Sequence, residues 1–217
     1  MTPFARRVAL SACTLATLAF GFGARVSAQT PAPSASAAPE CTPRAATLGG
    51  IGRASVVTFR GPVFGGTVCA IVASVIADAF TARIGDAPAD GALAVASTGT
   101  GGGVSVPLGG TTLTGVGPYV VAPGGTIPSF GTDTSEAPRV VLAFSGSRVV
   151  LIGTSAVSLV DLARIFRTQP EIFGADAIER AVVLASGDAA TLALHTADGW
   201  IGVTPAAGHV LSVLKTP

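Results

Sequence analysis

PRVVLAFSGSRVVLIGTSAVSLVDLARIFR, Pro138–Arg167, decides the fold. Two apolar runs, Pro138–Phe144 and Arg148–Thr154, flank a Ser-Gly-Ser turn, which is the pattern of a β-hairpin. Their apolarity is continuous rather than alternating, so both faces of these strands are expected to be covered. Then the period changes. Ser158 is a helix N-cap, Asp161 suits the first turn, and Leu159, Leu162, Ala163 and Phe166 fall on one stripe. Arg164 and Arg167 stand near the end, where the helix dipole favours cations, and Pro170 follows as a stop. Ser155, in TSAVS, reads as part of this cap rather than as a nucleophile. The FSGS turn is no nucleophile elbow, because no helix follows it.

Downstream, VVLASGDAATLAL, Val182–Leu194, reads as strand, tight turn, strand, and by local pattern as a second hairpin. DGWIGVTP and HVLSVLK supply late strands, with Trp200 expected to pack on the sheet. Upstream, RASVVTFRG, Arg53–Gly61, is a strand. Thr67–Gly85 reads as two strands, or as a strand and a short helix. Gly91–Gly125 is punctuated by glycine, but it lacks the Lys-Ser/Thr ending and following helix of a phosphate-binding loop. The expected fold is α+β: a single domain, mostly mixed β-sheet, with one or two covering helices.

The first 28 residues have the layout of a signal peptide: a cationic start, an apolar run, and VSA before Gln29. Arg6-Arg7 hints at twin-arginine export, and LSAC resembles a lipoprotein box at Cys13, although few apolar residues precede it. Residues 29–40 form a Pro/Ala/Ser-rich linker, and 41–217 form the domain. Without Arg6, Arg7 and Arg25, ten basic residues face twelve acidic ones, a formal charge of −2. There is one Lys and no basic run, which excludes a nucleic-acid partner. After signal cleavage no membrane span is expected, and the location is secreted or periplasmic. In that compartment Cys41 and Cys69 are expected to form one disulfide, with two buried thiols as the alternative.

The order GPYVV from Gly117, PRVVLAF, RVVLIGTSAVSLVDLARIF and AVVLASGDAATLAL resembles the phosphodiester glycosidase family over roughly residues 115–217. That family runs as a GP strand, an arginine strand of the form PRTAVG, a hairpin strand, a helix of the form SLxELAxxL, and ALNLDGGGSSTL. It includes an enzyme that removes N-acetylglucosamine from a phosphodiester, and its bacterial relatives are mostly exported. The resemblance places Arg139 at the family's arginine. At the last motif it puts Ala185 where the family has aspartate, Ser186 at the next glycine, and Ala189 and Ala190 at the serine pair, while Gly187 and Thr191 are retained. AVASTGT, Ala94–Thr100, stands where the family has an NGGFF-type motif.

A carboxylate at that turn can act as acid, base or electrostatic stabiliser for a glycosyl phosphate bond, and alanine can do none of these. Asp188 is the one carboxylate left on the turn and the candidate catalytic residue. Arg139, Ser186, Gly187 and Thr191 are the candidate binding residues. Arg139 is also readable as a solvated strand-end residue. The resemblance therefore implies a degenerate phosphodiester-glycosidase-like domain binding a glycan- or phosphate-bearing envelope ligand. An active hydrolase using Arg139 and Asp188 is the first alternative, and a structural envelope domain without a small ligand is the second. No cofactor is expected. His195 and His209 lack partners at metal-ligand spacing, and Asp86 and Asp90 read as solvated loop residues, so no metal is expected either.

Overall fold

The computed structural model describes residues 41–99, 101–130, 134–205 and 208–217. The expected signal segment and linker, and Thr100 of the AVASTGT stretch, lie outside the described residues. The chain forms strands β1 (Arg44–Leu48), β2 (Gly52–Arg60), β3 (Thr67–Ile76), β4 (Phe80–Gly85), β5 (Ala94–Ser97), β6 (Val104–Leu108), β7 (Thr111–Val116), β8 (Tyr119–Val121), β9 (Ala137–Ser145) and β10 (Arg148–Val157). Helix α1 (Leu159–Thr168) follows, then β11 (Arg180–Ser186), β12 (Leu192–Thr196), β13 (Gly199–Gly202) and β14 (Val210–Lys215). The seven-stranded sheet has the order β1-β2-β3-β10-β9-β11-β8, the five-stranded sheet β13-β12-β5-β14-β4, and β6-β7 pair alone.

Three layers result. The expected hairpin is β9–β10, in antiparallel register from Arg148 opposite Ser145 to Thr154 opposite Arg139. Leu142, Leu151, Val182 and Leu184 face Leu194, Leu211 and Val213 of the smaller sheet. Val141, Val150, Ile152 and Val183 face Leu162, Ile165 and Phe166 of α1. This double burial is the physical reason for the unbroken apolar runs. The fold is α+β and mostly β, with one α-helix covering the larger sheet.

Ser158 caps α1 by accepting the Asp161 N–H at 3.0 Å. Ser155 does not belong to this cap. It lies in β10, and its Oγ accepts the Cys69 N–H at 3.0 Å. Thr67–Gly85 is two strands joined by a 3-10 turn at Ala77–Ala79, because Ala82 and Phe80 are core residues at strand spacing. Val182–Leu194 is not a hairpin. β11 pairs with β9 and β8, whereas β12 pairs with β13 and β5, so the turn between them carries the chain from one sheet to the other. Cys41 and Cys69 are bonded, with Cα atoms 5.7 Å apart, tying the start of the domain to β3.

Candidate functional site

The sheet-switching turn is built by three local features. A register shift between Val183 and Ala185 interrupts the alternation of β11. It leaves Ala185, 3% exposed, in the core between the two sheets, and it leaves Ser186 on the surface. Gly187, at φ 71°, then makes the left-handed step into a 3-10 turn closed by the Ala190 N–H donating to the Gly187 carbonyl at 2.9 Å.

Arg139 lies directly opposite Ser186 in the β9–β11 register. It is 5% exposed, so it is not the solvated strand-end residue that its position in the sequence allows. All three guanidinium nitrogens donate to protein oxygens. Nε bonds the Val157 carbonyl at 3.0 Å, one Nη the Ser186 Oγ at 3.0 Å, and the other Nη the Ser135 carbonyl at 3.2 Å. The guanidinium thus braces the turn from beneath. A serine hydroxyl that accepts from arginine keeps its own O–H to donate outward.

The other wall of the site comes from the smaller sheet. Ser97, at the end of β5, accepts the Thr191 N–H through Oγ at 2.9 Å and donates its own N–H to the Thr191 carbonyl at 2.9 Å. Thr98 donates through N and Oγ1 to the His209 carbonyl at 2.8 and 3.1 Å. Ser186, Asp188 and His209 are exposed, and Ser97, Thr98 and Thr191 are half-buried. The Asp188 carboxylate makes no hydrogen bond or ion pair among the described residues. The arrangement offers hydroxyls, one carboxylate and one imidazole, which suits hydrogen bonding to a polyol.

The structure therefore brings together Arg139, Ser186, Gly187, Asp188 and Thr191, at the end of the larger sheet where β3 begins and Cys69 lies. Ser97, Thr98 and His209 join them. The AVASTGT stretch was the only sign of the first two, and nothing in the sequence signals His209. Trp200 is not packed on the sheet. It is 48% exposed, and its ring stacks on His195 at 4.9 Å on the β12–β13 edge, at the other end of β12 from Thr191. Asp86 and Asp90 are exposed between β4 and β5. No group of His, Cys, Asp or Glu among the described residues is placed to hold a metal ion.

The sequence matches no protein-family model and no curated protein. Among solved structures, the zebrafish N-acetylglucosamine-1-phosphodiester alpha-N-acetylglucosaminidase (NAGPA) catalytic domain, auto-inhibited by its pro-peptide, is similar, with a TM-score of 0.54 and 8% identity. The likeness covers 81% of this chain and 88% of that one, more than the motif-bearing stretch 115–217 alone. At that identity it is a likeness of fold: this chain has the distant architecture of a glycosidase catalytic domain.

Proposed function

We propose that the chain is an exported phosphodiester-glycosidase-like domain that has lost its catalytic set and binds a glycan- or phosphate-bearing ligand of the cell envelope. The observation that carries this reading is Ala185, at the position where the resemblance puts the family's aspartate: it is buried between the two sheets at the foot of the turn, which leaves Asp188 as the one carboxylate on the turn. A single acid–base group contributes about 10²–10⁴ in rate, so its loss leaves little turnover. Ligand contact falls to the exposed groups. Asp188 suits sugar hydroxyls and repels phosphate, while the Ser186 O–H, backed by the Arg139 charge, suits an anionic oxygen.

Titration of N-acetylglucosamine 1-phosphate into the purified full chain is the test. Saturable binding weakened about tenfold by Ser186→Ala supports the assignment, at the usual strength of a hydrogen bond to a charged group. No binding by the wild type leaves the structural reading in its place. A second reading, an active hydrolase, draws on one observation: Asp188 is exposed and uncommitted beside Ser186.

Export rests on the signal-like leader and on the disulfide, which persists in oxidising compartments. No helix among the described residues is long and apolar enough to cross a membrane. The secreted chain is expected to begin at Gln29, and its intact mass decides between that start and a lipidated Cys13.

A further inference from the structure

A second surface lies on the opposite face of the larger sheet from the smaller sheet, along α1. Val160, Ala163, Arg164 and Arg167 recur at helical spacing and line one flank of the helix. The segment Ile127–Phe130 runs alongside, with Ile127, Pro128 and Phe130 half-buried. Between them is a groove of about 590 Å³. Its floor and far wall are apolar, and its near rim carries the two arginines. A hollow of about 200 Å³ adjoins it and shares Ile127 and Arg167.

The arginines distinguish this groove from an ordinary gap beside a helix. Arg164 and Arg167 are exposed, and neither guanidinium makes an ion pair or hydrogen bond among the described residues. Their position near the helix C-terminus accounts for one cation through the dipole. It does not account for two cations overhanging an apolar slot. The helix end carries about half a negative charge and Asp176 lines the adjoining hollow with Arg167, so the two full positive charges of the rim are offset only in part. The groove volume is within the range of small-ligand sites.

We propose that this groove binds a single-chain amphiphile with a carboxylate head, a long-chain fatty acid. The alkyl chain lies against Ile127, Pro128, Phe130, Val160 and Ala163, where each buried methylene contributes about 0.8 kcal/mol on transfer from water. The carboxylate is held by the planar forks of Arg164 and Arg167, a geometry that matches two oxygens side by side. The groove has room for about 20 water-sized units, which accommodates one acyl chain. The assignment is independent of the Arg139–Ser186 site, because none of its residues belongs to that turn.

The test is a binding titration of the purified full chain with laurate below its critical micelle concentration, read by calorimetry. Saturable one-to-one binding is expected. Arg164→Gln combined with Arg167→Gln is expected to weaken it about tenfold or more, since two charge-assisted contacts are lost. Val160→Phe, which enlarges a half-buried side chain on the groove, is expected to abolish it, and the unfolding midpoint of each variant shows whether the fold is retained. Dodecanol, with the same chain and no charge, is expected to bind about tenfold more weakly than laurate. Four outcomes overturn the proposal: no saturable laurate binding, equal affinity for laurate and dodecanol, insensitivity to the double Gln variant, or dodecyl phosphate bound tenfold more tightly than laurate.

Discussion

Arg139 and Asp161 are buried side chains of opposite charge, 5% and 2% exposed, and each fastens a loop at the same end of the larger sheet. Arg139 donates to Val157, Ser135 and Ser186, and so holds a polar turn whose outer groups face solvent. Asp161 accepts the N–H groups of Val63 at 2.6 Å and Phe64 at 3.4 Å, and so holds the β2–β3 loop, whose tip is apolar and exposed. Gly61 passes so close to Asp161 that an added Cβ would meet its carboxylate at 2.6 Å. In both regions the buried charge is matched by fixed dipoles, as burial requires. The chemistry offered to a ligand therefore belongs to the residues being held. Under the proposed function Arg139 is a positioning residue, and Ser186, Asp188 and Thr191 are the groups proposed to face the ligand.

Removing the braces is the strongest way to break this comparison. Arg139→Ala removes three hydrogen bonds, one of them to the carbonyl of the buried Val157, and about 3 kcal/mol of stability is expected to be lost in denaturant unfolding. A loss under 1 kcal/mol would mean that the guanidinium is free to serve a ligand. Asp161→Ala is expected to cost less, about 2 kcal/mol, because the Val63 and Phe64 N–H groups can reach water once released. Ser186→Ala removes one hydrogen bond at the surface end of the brace, and about 1 kcal/mol or less is expected. Phe64→Ser changes an exposed tip and is expected to alter stability by no more than about 0.5 kcal/mol. This last variant sharpens the contrast: the loop depends on the Asp161 bonds to its backbone and not on the side chains exposed at its tip.

The sequence made the centre of the fold legible and the site only partly so. β9, β10 and α1 announced themselves because burial on both faces demands unbroken apolar strands, and because Ser158 caps a helix with one apolar stripe. The turn at Ala185–Asp188 was visible as a turn, but a hairpin and a sheet switch share the same local pattern. What separates them is the pairing of β12 with β5, nearly a hundred residues away. The same long-range pairing brings Ser97 and Thr98 to Thr191 and His209, so no periodicity near those residues could signal it. Arg139 was singled out as a binding residue, and the structure buries it against three protein oxygens; an arginine in an apolar strand looks the same whether it faces a ligand or such oxygens. Trp200 was misread because a short edge strand with glycine at both ends leaves one face of the sheet open.

Degeneracy of the turn is the central claim, and turnover tests it most directly. Purified mature protein is incubated with a methyl phosphodiester of N-acetylglucosamine, and sugar release is followed for the wild type, Asp188→Asn and Ala185→Asp. The account predicts release indistinguishable from buffer for wild type and Asp188→Asn alike. It also predicts no rescue by Ala185→Asp, because that position faces the core between the sheets rather than the solvent. Robust wild-type turnover abolished by Asp188→Asn would contradict it, and would make Asp188 the acid–base group of a working, rearranged hydrolase.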